Sequence, residues 1–459
     1  MTSLAAIILD LNRNSQLIYF RRQYSLLATF IDTITFVTAL FLPTSLRFTL
    51  FFFLINQCLF RDFTVDWAFV ADSSDTAGRA QDTSLIFSQG ILFHNNFFGT
   101  TDDTEHTVVE GRMGHLIVPR DFSTTTHSPY GFARAPWNIN PSQYVTRYHS
   151  NCGVKGYGKG LDWPSCSNHF KMVHSPEYDN WDSYVWELSY GPHGPVHAWT
   201  GGVGGQCDTF AELDTLAELK GTSLAKALST SLRSSAFNLL KFAWRELAIE
   251  MPATCSSDAP ASECMWSCHG GADTVLETLL ASSYLNKFPA EVWEDDIKDI
   301  VKKVMCETPF WPGEHLDAGS PLEASFWPVH PGLDRLTQYK ALIQPFKDET
   351  WPNVNSTHTD VCSTLHYPHM HDGDSSSDPG ADAVTAAPNC LGHHATDLTY
   401  WPSVSADATT GAYTKTYLTN GEVLSATSPS ATYSAPYIYE HFEWSHCETH
   451  GITFKSVVG

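Results

Sequence analysis

Positive charge is scarce in this chain. Across 459 residues, 27 Lys and Arg stand against 50 Asp and Glu, a formal net charge of −23, and no basic run interrupts the globular part. Nucleic acid and anionic membrane surfaces both select clustered Lys and Arg, so neither is expected as a partner. Histidine is missing from the first 93 residues although the chain holds 21 of them, and the first is His94. Any imidazole metal site must therefore come from later in the chain. Pairs of Cys-x-x-Cys motifs are also missing, which argues against a zinc ribbon or finger. What is plentiful is apolar and aromatic: 42% and 13% of residues, with 14 Trp, enough for a substantial core and unlike a disordered chain.

Charge is nearly absent from one stretch, Thr33 to Phe60, where Arg47 is the only charged residue. Its length suits a bilayer span, with Arg13, Arg21 and Arg22 as a cytoplasmic flank, but Pro43 and Arg47 interrupt it. A standard signal peptide does not fit, since no small-residue cleavage site follows. Residues 1–60 thus read as an anchor, as a segment not native to the fold, or as a buried helix pair. Eleven Cys are present; with Cys58 in the apolar run set aside, ten spread over the globular part. That pattern suggests disulfides and an oxidising, extracellular or secretory compartment. The sequon Asn355-Ser356-Thr357 is compatible with it.

Two distant segments carry chemistry. His193-Gly-Pro-Val-His197-Ala-Trp-Thr-Gly-Gly places two imidazoles four apart, hence on one face of a helix. Phe326-Trp-Pro-Val-His330-Pro-Gly-Leu-Asp334-Arg335 offers a third imidazole near a helix start. Three such nitrogens make a metal site. The zinc-protease alternative, His-Glu-x-x-His, fails because Gly194 occupies the position of the Glu base.

Together the segments resemble the second copper motif of the tyrosinase, catechol oxidase and haemocyanin superfamily. That motif is a His-x-x-x-His helix running into Gly-Gly, then Phe-x-x-x-His with Asp-Arg four and five residues on. Val329 departs from it, many relatives having a second His there. Phe60-Arg-Asp-Phe-Thr64 is similar, with Arg61 in place of Trp, to a segment following the first copper helices of that family. The resemblance implies copper held by His193, His197 and His330, with Phe326 beside the metal pocket and Asp334 and Arg335 fixing the third ligand helix. In the family two coppers bind O2 between them and oxidise small phenols and catechols. Gly194 replaces the Asn that helps deprotonate monophenols in many relatives, so monophenol hydroxylation is not expected even with a complete dicopper site. The first copper site should precede Asp62, where there is no His; His94, His106 and His115 are the nearest substitutes. Either the first half of an oxidoreductase is lost or misassigned, or the chain is a non-catalytic descendant keeping one metal site.

The expected fold is mainly α: a type-3-copper-like helical bundle core with long irregular connections, a helical insertion and a small β-rich C-terminal tail. Residues 61–350 would form the copper-binding domain, with a helical insertion over 209–324 where Leu213, Leu216, Leu228 and Leu232 recur at helical spacing. Residues 65–190 read as loop-rich, with Cys152 and Cys166 placed to staple them. Cys255, Cys264 and Cys268 can pair with one another or with Cys306. A helix follows Asp334-Arg335 to about Phe346. Residues 351–459 read as a loop and β-rich extension in which Tyr437 to Trp444 alternates as a strand would. His366, His369 and His371 with Asp372 and Asp374 offer a second cation-binding possibility there, against the simpler reading of an exposed loop.

Overall fold

The computed structural model describes Phe87 and residues 91–135, 137–153, 163–351, 395–427, 438–439 and 441–457. The apolar segment 33–60, Asp62, Cys362, Cys390 and the His366–His371 cluster lie outside the described residues. The chain divides into two compact units. Of the first, Met1–Val65 with Pro436–Glu443, only residues 438–439 and 441–443 are described. The second, Asp66–Ala435 with Trp444–Gly459, holds nearly all of the described architecture. No described helix is long and apolar enough to cross a membrane.

The fold is mainly helical with three two-stranded sheets among the described residues. Apart from single helical turns such as Ser123–Thr126, the described residues of 91–151 are irregular, held by isolated bridges such as Thr107 to Thr146 and Ile117 to Tyr144. Two helices then appear where the sequence suggests only loops: α1, Cys166–His174, and α2, Trp181–Leu188. Their cores are short, but their starts are well made. Ser165 and Asn168 form a reciprocal capping box, and the Asn180 side chain accepts from Ser183 N at 3.2 Å. Each such cap contributes about 1 kcal/mol and fixes where the helix starts. Packing, of α1 on the later helix Phe326–Ile343 and of α2 on α1, supplies the rest that an eight- or nine-residue helix needs.

A π turn, Ser189–His193, runs into α3, Gly194–Gly201. Gly202 then turns the chain at φ +64°, where a Cβ would meet Ser150 O at 2.7 Å. The strand β1, Val203–Gly205, follows and pairs antiparallel with β4, Phe310–Pro312. Between them lies the insertion: α4, Asp208–Lys220; α5, Ser223–Ser234; α6, Ala236–Arg245; a small ribbon of β2, Ile249–Glu250, and β3, Ser267–Cys268; α7, Ala272–Leu280; and α8, Asp295–Cys306. The helical spacing of the sequence is realised here, with Leu228, Leu232, Leu239, Leu240, Val275, Leu279, Ile297 and Val301 buried in one cluster. Each such side chain contributes about 1.5–3 kcal/mol on burial. The insertion therefore supplies most of the largest apolar cluster, sharing it with Trp137, Ile139, Tyr148, Phe310 and Trp311.

The long helix α9, Phe326–Ile343, packs on α1 and on the π turn. Tyr184 OH lies 3.2 Å from Thr337 Oγ1, and the buried Lys340 donates to Val173 O at 3.0 Å, so α1, α2 and α9 are tied by polar contacts as well as packing. Four disulfides link described cysteines: Cys152–Cys207, Cys166–Cys447, Cys255–Cys264 and Cys268–Cys306. The two involving Cys268 and Cys255 fall among the anticipated alternatives. Cys152 and Cys166 instead reach out of the irregular region, one to the start of α4 and one to the C-terminal segment. Four buried or half-buried disulfides fit an oxidising, extracellular setting.

In the C-terminal region the strands are β5, Leu398–Ala406, and β6, Tyr413–Thr419, an antiparallel hairpin followed by α10, Asn420–Thr427. The strand expected at Tyr437–Trp444 is not formed: its described residues are irregular. Alternation alone does not make a strand without a neighbour to receive its backbone hydrogen bonds.

Candidate metal centre

His193, His197 and His330 converge. Their ring centroids lie 4.3, 5.0 and 5.7 Å apart pairwise, and one ligating nitrogen from each falls within 4.8 Å of the other two. His193 closes the π turn, His197 sits one turn on in α3, and His330 sits in the first turns of α9. His193 and His330 are 137 positions apart in sequence. Their meeting follows from the β1–β4 pairing, which returns the chain to the end of α3 before α9 begins.

The Nδ1 atom of every ring faces a backbone carbonyl: Ser189 O for His193 at 3.2 Å, Phe326 O for His330 at 2.8 Å and His315 O for His197 at 2.6 Å. A carbonyl only accepts, so each Nδ1 carries the proton and each Nε2 presents a lone pair. His193 Nε2 and His330 Nε2 stand 3.1 Å apart with no proton left to share. His197 Nε2 is buried and has no hydrogen-bond partner. Two opposed lone pairs beside a third orphaned one are repulsive and unsatisfied unless a cation joins them. The trio can hold a metal ion, and the donor set of neutral imidazoles suits copper or zinc.

Electrostatics favour the neutral rings. Burial, then His330, lowers His193 to about 4. Burial depresses His330, and burial with His315 and His193 depresses His197 further still. A His whose folded pKa is depressed contributes stability that is present above its unfolded value near 6.5 and is lost as pH falls toward the folded one. For metal-free protein, the melting temperature of the wild type should therefore fall relative to His193→Gln as pH drops from 6.5 to about 4. A pH-independent difference between the two would show that His193 is not held neutral by the fold.

Phe326 packs as the sequence suggests, its ring 4.1 Å from His330 and 6.0 Å, edge-on, from His197. Asp334 is half-buried and accepts from Gln338 Nε2 at 3.4 Å, one turn along α9. The buried Arg335 lies with its guanidinium 4.2 Å over the Trp444 ring, joining α9 to the C-terminal segment. His94 and His115 are exposed and His106 is half-buried; they form no ligand group among the described residues. A second group, Cys166, His446 and Cys447, brings its ligating atoms together, but its cysteines are joined to each other and have no thiolate to give.

One residue of the centre was invisible in the sequence. His315, fully buried on the turn Glu314–Leu316, lies edge-on to His197 with centroids 4.4 Å apart. No spacing to the other histidines marks it; only strand pairing puts it there. Gly201 is what admits it, since a Cβ at that position would come within 2.8 Å of Leu316 Cγ.

No family model, curated protein or solved structure matches the chain.

Proposed function

We propose that this chain is a tyrosinase-like copper protein holding one copper through His193, His197 and His330. The observation carrying the reading is the arrangement of three Nε2 lone pairs, each enforced by an Nδ1 proton committed to a carbonyl. The Gly-Gly turn after the helical pair and the Phe326 to Arg335 element add the motif on which the resemblance rests. Bound copper would supply a redox centre for one-electron exchange and for polarising an oxygen ligand. The protein's own part is to bind and orient: Phe326 packs against His330 and His197, while the carbonyls fix each imidazole's direction. Small phenols, catechols above all, with O2 are the substrate class that the resemblance suggests.

The alternative reading is a single-site, non-catalytic role. No second three-histidine group exists among the described residues, and none of the first 93 residues is His. Two-electron reduction of O2 is beyond one Cu(I). Purified full-length chain loaded with copper should thus retain one copper, develop no new O2-dependent absorption after reduction, and oxidise catechol no faster than the same copper held by a simple chelator. Two coppers per chain with catechol oxidation abolished by His106→Ala would refute the single-site reading, and no retained copper would refute the site itself.

A further inference from the structure

Two of the three ligands orient themselves. In a helix the Cβ leans toward the N-terminus, so a ring lies over the preceding turn and reaches the carbonyl four residues back. His193 does this with Ser189 O, and His330 with Phe326 O. His197 does not: its Nδ1 leaves α3 altogether and meets His315 O at 2.6 Å, His315 Nδ1 at 2.9 Å and Ser320 Oγ at 3.3 Å. Its direction depends on a segment 118 residues away.

The protons on that segment can be assigned by elimination. His197 Nδ1 must donate, because it faces a carbonyl, so His315 Nδ1 accepts and His315 carries its own proton on Nε2. That proton points at Ser325 Oγ, 2.9 Å away. Ser325 Oγ in turn donates to Glu323 Oε1 at 3.1 Å, and the Ser325 backbone N–H does so as well, also at 3.1 Å. Glu323 Oε2 receives Arg147 Nε at 2.7 Å, and Arg147 Nη1 and Nη2 end on Gly99 O and Phe98 O at 2.7 and 3.1 Å. Donor meets acceptor at each link, and His315, Ser325, Glu323 and Arg147 are all at most 1% exposed. A packing role alone would need the volume of His315 but neither of its nitrogens. An ion pair sealed at the far end fixes the polarity of the whole row, because reversing any link would leave two donors or two acceptors facing each other in a dry site.

We propose that His315, backed by Ser325, Glu323 and Arg147, is a positioning residue that fixes which nitrogen of His197 faces the metal. This role rests on the three-histidine metal site proposed above and adds to it the group that makes its least self-sufficient ligand a ligand. His315 need not touch the metal to do so. Groups in this relation to a metal-bound His typically change affinity by about 10- to 100-fold when removed.

The test is titration of the full chain with Cu(II) alone, in competition with a chelator of known affinity. Electron spin-echo modulation of the bound copper, which senses the remote nitrogen of each ligating imidazole, is recorded alongside. His315→Phe, which keeps the ring's bulk and loses both nitrogens, should weaken copper about 10- to 100-fold and alter the remote-nitrogen coupling of one imidazole. His315→Gln, whose amide can still accept from His197 and donate to Ser325, should restore most of the affinity and the original coupling. Ser325→Ala, which leaves His315 in place without its acceptor, should weaken binding by less than His315→Phe, and it reads the same row should the Phe variant fail to fold. A merely structural His315 would give equal losses in the Phe and Gln variants and an unaltered coupling, which would overturn the proposal. So would undiminished affinity in both His315→Phe and Ser325→Ala while His197→Ala still abolishes binding; in that event the site stands and its positioning row does not. Failure of the wild type to bind copper at all removes both.

Discussion

His197→Ala should reduce copper uptake from one ion per chain to none. The substitution removes the lone pair that has no other partner, Nε2 of His197, and leaves only the two nitrogens of His193 and His330, 3.1 Å apart, one ligand short of the three-nitrogen set. It also strips His315 O and His315 Nδ1 of the donor they both use. His315 O keeps Ser320 Oγ at 3.3 Å, but leaving the buried His315 Nδ1 without a donor costs about 1–3 kcal/mol, so the variant should melt lower yet still fold. Its circular dichroism should match the wild type while its copper content, after dialysis, should not. His369→Ala, in the C-terminal extension, is the control that keeps the metal. Equal copper in wild type and His197→Ala would mean that the ion sits elsewhere.

The second large effect concerns stability. Glu314→Ala should destabilise the metal-free protein by about 3–5 kcal/mol, the usual consequence of leaving one member of a buried ion pair alone. Both Arg134 and Glu314 side chains are 0% exposed. Arg134 Nε donates to Glu314 Oε2 at 3.2 Å, Nη2 donates to Oε1, and Nη1 reaches Asn140 O and Ser142 O at 2.8 and 2.7 Å. With the carboxylate gone, a guanidinium would remain in a dry pocket. Burial pushes the Glu314 carboxyl above its usual range even with Arg134 opposing it, which shows how costly desolvation is here. A double replacement, Arg134→Met with Glu314→Leu, should therefore recover most of the loss. Urea unfolding of the three proteins reads this directly. A Glu314→Ala loss below about 1 kcal/mol would place the pair in far wetter surroundings than its burial indicates.

Much of the site was legible because its signals are local. The four-residue spacing of His193 and His197 dictates one helix face, and the Gly201-Gly202 pair marks the sharp exit that the structure makes at φ +64°. Phe326, His330 and the helix through Leu336 and Tyr339 also read correctly, since the apolar face of α9 repeats at helical spacing. The insertion was legible for the same reason. What could not be read depends on partners far along the chain. His315 is placed by β1 pairing with β4, and no residue near it announces that pairing. The buried carboxylates Glu314 and Glu323 look like ordinary surface residues until Arg134 and Arg147 arrive from the irregular segment. The helices α1 and α2 were missed because their starts are set by caps at Ser165 and Asn180, which carry no apolar period. At Tyr437 to Trp444 the opposite error arose: the alternation was present, and no strand forms among the segment's described residues.

The most direct measurement is an anomalous difference map from crystals of the full chain grown with copper, collected across the copper absorption edge. The arrangement of lone pairs predicts one strong peak between His193, His197 and His330, about 2 Å from each Nε2, with His315 adjacent to it and unligated. A map whose copper peak lies away from these rings, at His366, His369 and His371 or at His94, His106 and His115, with none among the trio, would contradict it.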